Sequence, residues 1–200
     1  MRGLWRVPLI GPLTFAAWKI DARRKYKWMY DHLPASGPLI DIGSGPGSLL
    51  DIMRGDGRAV DGLDITDSAY RTDLTAHLYD GQIMPFKDQS YTAALLSTML
   101  HHTPDPDHIL RESTRIAARI IIIEDVYKGR VMEWLTKRFD SVMNLEFIGH
   151  PHTNRTDAEW RETFSNMGLT LISAEIYPVA GIFRQAVYVL DVYGLDGPKA

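Results

Sequence analysis

Leu39-Ile40-Asp41-Ile42-Gly43-Ser44-Gly45-Pro46-Gly47 is the stretch that decides the fold of this chain. Pro38 to Ile42 reads as a short buried strand that ends in glycines, and Ser48 to Arg54 reads as a helix. Glycines between a strand and a helix allow a tight turn and let a ligand approach the backbone. The surrounding chemistry argues against a phosphate. A carboxylate at Asp41 would repel a pyrophosphate, and Pro46 removes one N–H that a phosphate cradle would use. Position 48 is Ser, not the third Gly or Ala of the dinucleotide fingerprint, and no Gly-Lys-Ser/Thr follows. A ligand with a cationic ammonium and no phosphate suits this loop better.

Outward from the loop, strands and helices alternate. Ala59 to Ile65 and Tyr91 to Thr98 read as strands. Asp105 and Pro106 make a cap and first-turn pair that opens a helix to about Ala118. Arg119 to Val126, with four consecutive isoleucines, fits a central strand covered on both faces. Val131, Trp134, Leu135, Phe139, Val142 and Met143 recur at helical spacing, and Asn144 to Arg155 reads as a polar loop. Thr156 and Glu159 form a capping box for a helix with Trp160, Phe164 and Met167 on one face, ending at Gly168. Leu169 to Ile176 and Ala186 to Tyr193 are the closing strands, and Gly194 to Ala200 reads as a frayed tail. This alternation predicts an α/β fold with a mostly parallel sheet and helices on both faces.

Composition bounds the function. The 200 residues are one domain's worth, 45% apolar and 24% charged, which excludes a disordered, collagenous or multi-span membrane chain. With no cysteine, there is no disulfide scaffold, thiolate zinc site or cysteine nucleophile. The net charge of −3 is unevenly spread, because residues 1–30 carry seven Lys/Arg against one Asp. From Pro12 onward Trp18, Ala22, Tyr26, Met29 and Leu33 form a helical stripe flanked by Arg23, Arg24, Lys25 and Lys27. Such a helix either packs its stripe on its own domain, the favoured reading, or lies on an anionic bilayer surface. Val7 to Trp18 is interrupted by Pro8, Gly11 and Pro12, so it reads as neither a secretory signal nor a span, and the expected location is cytoplasmic.

Four segments in order then resemble the class I S-adenosylmethionine (SAM)-dependent methyltransferases, in the small-molecule and quinone branch of the type 11 kind. They are the glycine loop, Gly62-Leu63-Asp64-Ile65, Asp80-Gly81-Gln82-Ile83-Met84-Pro85-Phe86, and Ser97 to Asp105. The similarity runs from about Leu39 to Ile123 and resumes at Asp157 to Gly168. Two departures stand out. Tyr91-Thr92 replaces the usual Phe-Asp, and Ala117-Ala118-Arg119 replaces a Pro-Gly-Gly turn. The resemblance implies a Rossmann-like seven-stranded sheet whose last strand is antiparallel. It also implies SAM as cofactor, with S-adenosylhomocysteine as product, held by Asp41, Gly43, Ser44, Gly45, Gly47, Asp64, Ile65, Asp80, Gly81, Thr98 and Met99. In that reading Asp64 accepts the ribose hydroxyls and Asp80 the adenine amino group.

The acceptor side is less defined. His101 and His102 follow the fourth strand, and Glu124 and Asp125 end the fifth. His101, Glu124 and Asp125 are the candidate bases, at strand ends that face the cofactor. No metal site is expected; His150 and His152 are too distant in sequence to pair readily with His101 and His102. We read residues 1–35 as a basic, aromatic helical arm, either substrate cap or membrane-surface contact. Residues 36–200 read as the SAM-binding domain, with a cap insertion at about 127–155. Trp5, Phe15, Trp18, Trp28, Trp134, Phe139 and Phe147 in the arm and cap predict a small, partly apolar acceptor, such as a lipid, quinone or aromatic metabolite. The rival readings are a non-catalytic SAM-binding protein at a membrane surface through residues 1–30 and a nucleic-acid methyltransferase. The second lacks an Asn-Pro-Pro-Tyr-like motif and meets an acidic body. A nicotinamide-dependent oxidoreductase is disfavoured by the loop chemistry.

Overall fold

The computed structural model describes residues 11–127, 129 and 153–192. The expected cap, the helical spacing at Val131 to Met143, His150, His152 and the tail lie outside those residues, apart from the cap's two ends.

The sheet has seven strands in the order β3-β2-β1-β4-β5-β7-β6. They are β1 (Leu39–Ile42), β2 (Val60–Asp64), β3 (His77–Leu78), β4 (Tyr91–Ser97), β5 (Ala117–Val126), β6 (Thr170–Val179) and β7 (Phe183–Asp191). The pairs from β3 to β5 are parallel, and β7 runs antiparallel to both β5 and β6. The sequence order reverses beside β1, and in open α/β sheets that crevice is where ligands sit. The glycine loop leaves β1 at this point.

The isoleucine run shows how the chain fills both faces. Ile120 and Ile122 pack with Ile109, Leu110, Trp160 and Phe164, while Ile121 and Ile123 pack with Phe15, Tyr26, Leu50 and Met53. Among the described residues two helices therefore cover each face. Helices α1 (Gly11–Met29) and α2 (Ser48–Gly55) lie on one, α3 (Pro106–Ile116) and α4 (Asp157–Asn166) on the other. α1 turns Phe15, Ala22, Tyr26 and Met29 onto the sheet, so its stripe packs on its own domain, although Trp18 stays only half-buried. Among the described residues no helix is long and apolar enough to cross a membrane.

Capping follows the local sequence. Asp105 accepts from the His108 N–H ahead of α3, and Thr156 and Glu159 complete the capping box of α4. One boundary moves. β5 begins at Ala117, because α3 passes into the strand with no turn residues between them. With Pro-Gly-Gly missing, the C-cap Ala117 adopts extended geometry and pairs with Tyr91 at once. β3, two exposed residues at the sheet edge, left no readable pattern.

Candidate active site

The loop after β1 needs its glycines. Gly43, Gly45 and Gly47 have φ of +73°, +51° and +81°, a region costly for residues with a Cβ. A Cβ on Gly47 would come within 2.7 Å of Leu74, whereas one on Gly45 would meet nothing within 4 Å. Gly47 is thus needed for packing, and Gly45 faces open space. Gly43 and Ser44 donate their N–H groups to Leu63 O, which ties the loop to β2. Asp64, at the end of β2, accepts from the Gly45 N–H at 2.8 Å and the Thr66 N–H at 3.1 Å.

Asp41 lies on the sheet face that α1 covers, in register with Leu39. Its side chain is buried, and no donor among the described residues bonds it. Burial, reinforced by the Asp64 charge and opposed by Lys25, raises its pKa to about 7. Ser44 Oγ is likewise buried with no hydrogen-bond partner. Buried polar groups without partners are uncommon and call for an explanation. A ligand carrying an ammonium and hydroxyl or amide groups is one.

The segment after β3 is held from α3. Glu112 accepts the Met84 N–H at 2.8 Å, and Arg115 donates to the carbonyls of Met84 and Phe86. His108 Nε2 lies 2.6 Å from Gln82 O. Asp80 accepts the Gln82 N–H, forming a local turn and leaving Gly81 at φ +81°. A Cβ on Gly81 would stand 3.6 Å from Ile65, so the ends of β2 and this segment meet. Ile65 and Ile83 are 63% and 71% exposed, which offers an apolar surface beside polar loop atoms.

On the β4 side, Thr98 has φ +48°, a strained value for a β-branched residue. Its N–H donates to Ile123 O and its hydroxyl accepts from Lys25 Nζ, both at 2.7 Å. Met99 packs against Gly43, where an added Cβ would come within 2.9 Å.

His101 and Glu124 form a buried pair on the opposite face, each 1% exposed, with Nδ1 2.5 Å from Oε2. The other Glu124 oxygen accepts the Leu100 N–H at 2.8 Å. Asp125 turns toward α1 and accepts from Gln185 Nε2 at 3.0 Å. Burial raises its pKa, against the opposing charges of His101 and Lys25. The three candidate bases therefore divide between the two faces.

Sequence reading passed over Lys25, Glu112, Arg115 and Asn154. Lys25 stood in a basic run, yet its spacing from Ala22 and Met29 puts it on the buried stripe. Asn154 follows Thr153, whose N–H donates to His101 O, and both its amide side-chain atoms are buried without partners. Among the described residues no three His, Asp or Glu side chains gather as metal ligands.

The strand order and the loop at its reversal are those of a Rossmann-like sheet open at a topological switch point. Residues 40–119 match the family model described as a methyltransferase domain. A curated relative, a ubiquinone biosynthesis O-methyltransferase of Thiobacillus denitrificans, is 28% identical over 105 residues, 46% of this chain and 45% of that enzyme. The alignment thus spans less than half of the relative's length. Among solved structures, geranyl diphosphate C-methyltransferase of Streptomyces coelicolor superposes with a TM-score of 0.65 at 16% identity, covering 86% of this chain and 79% of that one. Magnesium protoporphyrin IX methyltransferase of Synechocystis, solved with S-adenosylhomocysteine, gives 0.63 at 14% identity, covering 88% and 84%. At these identities the likeness is one of fold.

Proposed function

We propose that this protein is a SAM-dependent methyltransferase acting on a small, partly apolar acceptor. The observation that carries the reading is Asp41, buried and unpartnered beside a left-handed glycine loop at the reversal of the sheet. A carboxylate in that state suits the ammonium of an amino-acid cofactor. Gly43, Ser44, Gly45 and Gly47 admit its chain close to the backbone. Asp64 takes the ribose hydroxyls by exchanging its bond to Gly45. Ile65, Asp80 and Gly81 receive the adenine, and Thr98 and Met99 close the β4 side. The cofactor supplies an electrophilic methyl group on a sulfonium.

The chain's own contribution is alignment, which in displacement reactions supplies several kcal/mol of the barrier reduction. An acceptor that must lose a proton also needs a base. With Nδ1–H donated to Glu124, His101 keeps Nε2 as the basic atom. Asn154, next to Thr153 whose N–H bonds His101 O, supplies a buried amide that can bond a polar group of the acceptor. The small-molecule class draws support from the quinone-pathway relative and from small-molecule methyltransferases of the same fold.

A second reading concerns α1. Its outward face carries Leu13 and Ile20, 73% and 69% exposed, with exposed Arg23 and Lys27 on the same side. We propose that this face gives residues 1–30 a peripheral contact with anionic lipid. Co-sedimentation with phosphatidylglycerol vesicles that survives Ile20→Glu would refute it.

Thermal unfolding with SAM, S-adenosylhomocysteine or NAD tests the main reading. At about 100 times Kd a ligand adds about 2.7 kcal/mol, a shift of about 5–11 °C at this size. A shift with the first two and not with NAD is expected. No shift with either would overturn the SAM reading and move a scaffold role at a membrane surface ahead, and salt-dependent binding to RNA or DNA would favour a nucleic-acid acceptor.

A further inference from the structure

Between the chain that leaves β4 and the chain that leaves β5, the segment Thr153 to Thr156 is tied down on both sides. The Thr153 N–H donates to His101 O at 3.1 Å, and its hydroxyl lies within hydrogen-bond distance of Leu100 O and Thr103 O. Tyr127, just past β5, donates its hydroxyl to Asn154 O at 3.2 Å. Arg155 Nη1 donates to Asp107 Oδ1 and Thr163 Oγ1, and its guanidinium lies 4.9 Å from the centre of the Trp160 ring. Thr156 completes the capping box of α4. Two side chains break this pattern. The Asn154 amide buries both its nitrogen and its oxygen without a hydrogen-bond partner among the described residues. Trp160, 0% exposed one helical turn further on, does the same with its indole nitrogen. Leaving such groups unpaired is costly, and folded proteins rarely do so.

Place and charge balance together define what would pair them. β4 lies between β1, which carries the glycine loop, and β5. The carboxyl ends of β4 and β5 are therefore next to the cofactor loop, where a methyl acceptor has to lie. The charged side chains beside Asn154 and Trp160 are already paired. Glu124 bonds His101 and the Leu100 N–H, Arg155 pairs with Asp107, and Asp157 pairs with Arg161 and accepts from the Tyr188 hydroxyl. An acceptor group with a charge of its own would be buried here without a counter-ion. What Asn154 and Trp160 offer is neutral: two donors and an acceptor from the amide, one donor from the indole. We propose that Asn154 and Trp160 select the acceptor by an uncharged group that both donates and accepts hydrogen bonds, such as a carboxamide or a hydroxyl beside a carbonyl. The proposal rests on the SAM reading above. Trp160 demands an acceptor oxygen, and the Asn154 amide fixes which way round the group is held.

Nitrogen–proton NMR spectra of the full chain, saturated with S-adenosylhomocysteine, read both side chains directly. Two probes of one shape are titrated, 3-hydroxybenzamide and 3-hydroxybenzoate, which differ in whether the second group is neutral or charged. Trp160→Phe assigns the indole signal among those of the five tryptophans, and a through-space contact to Phe164, 5.8 Å away between ring centres, assigns it if that variant does not fold. The amide probe should move the Trp160 indole signal and the Asn154 side-chain signals along one saturable curve. The carboxylate probe should bind at least about tenfold more weakly. Loss of a neutral hydrogen bond corresponds to about a 2- to 12-fold loss of affinity, and Asn154→Leu, which removes an unpaired amide and so spares the fold, should weaken the amide probe by about that factor. Signals that stay in place up to the solubility limit, equal affinity for the two probes, or an unchanged amide affinity in Asn154→Leu would overturn the proposal and make both side chains structural. Failure of the SAM reading is seen separately, as Gly43 and Gly45 amide signals that S-adenosylhomocysteine does not move.

Discussion

The two faces of the sheet treat buried charge in opposite ways. On the α3/α4 face, Glu124 spends both oxygens inside the protein, on the Leu100 N–H and on His101. On the α1 face, Asp41 is buried with no hydrogen-bond donor, near a lysine that has one donor to spare. In the first arrangement the carboxylate is satisfied without a ligand and holds the chain after β4 in place. The second is incomplete, and burial, reinforced by the Asp64 charge, raises its carboxyl's pKa to about 7. Self-satisfied polar groups maintain geometry, whereas unsatisfied ones mark where a ligand belongs.

That contrast can be broken most sharply at Glu124. Glu124→Ala leaves a buried N–H and a buried imidazole without their partner, and we expect a loss of about 3 kcal/mol in urea unfolding. A loss below about 1 kcal/mol would mean that the pair is not the internal brace described here.

At Asp41 the opposite sign is expected. Its carboxyl titrates near 7 in the fold and near the ordinary carboxylate value when unfolded, so the folded state holds the proton more tightly. Stability of the free protein should then fall as pH rises from about 4 to 7, by at most about 4 kcal/mol. Asp41→Asn should flatten that slope and stabilise the free protein at pH 8. It should also weaken S-adenosylhomocysteine, whose affinity for the wild-type protein should rise between pH 6 and 8. A variant no more stable than wild type at pH 8 would contradict the account.

The smallest effects lie within the loop and sharpen the division between scaffold and ligand surface. Gly47→Ala meets Leu74 as well as a left-handed φ and should cost about 2–3 kcal/mol. Gly45→Ala has only the φ to contend with and should cost about 1 kcal/mol, yet reduce cofactor affinity more. Equal effects of the two on binding would show that Gly45 does not face the ligand.

Much of this was legible in the chain. The isoleucine run, the glycine loop, the Asp105 cap and the Thr156–Glu159 box each carry a local cause that survives in the fold, so the strands and helices stand close to where the pattern puts them. Two kinds of feature were not legible. β3 forms only because β2 offers it an edge, and its two residues hold no periodicity. The hairpin between β6 and β7 turns at Ala180 and Gly181, with φ of +49° and +74°, and both strands extend beyond their predicted ends toward it. The site divided in the same way. Asp41, Asp64 and Asp80 follow from motif position, but whether a carboxylate has a partner depends on tertiary neighbours. Lys25 reads as one of several solvated cations until the helix is docked, when its place between Ala22 and Met29 directs it inward.

The junction at Ile116 and Ala117 has one more consequence. With no linker to absorb motion, α3 cannot slide along its axis without dragging the register of β5. Arg115 and Glu112, the residues that hold the Met84 to Phe86 segment, sit within five residues of that junction. The surface loop assigned to the adenine is therefore gauged from the middle of the sheet. In hydrogen exchange the Met84 amide should be protected like a core amide, because freeing it requires the helix to part from the strand it runs into.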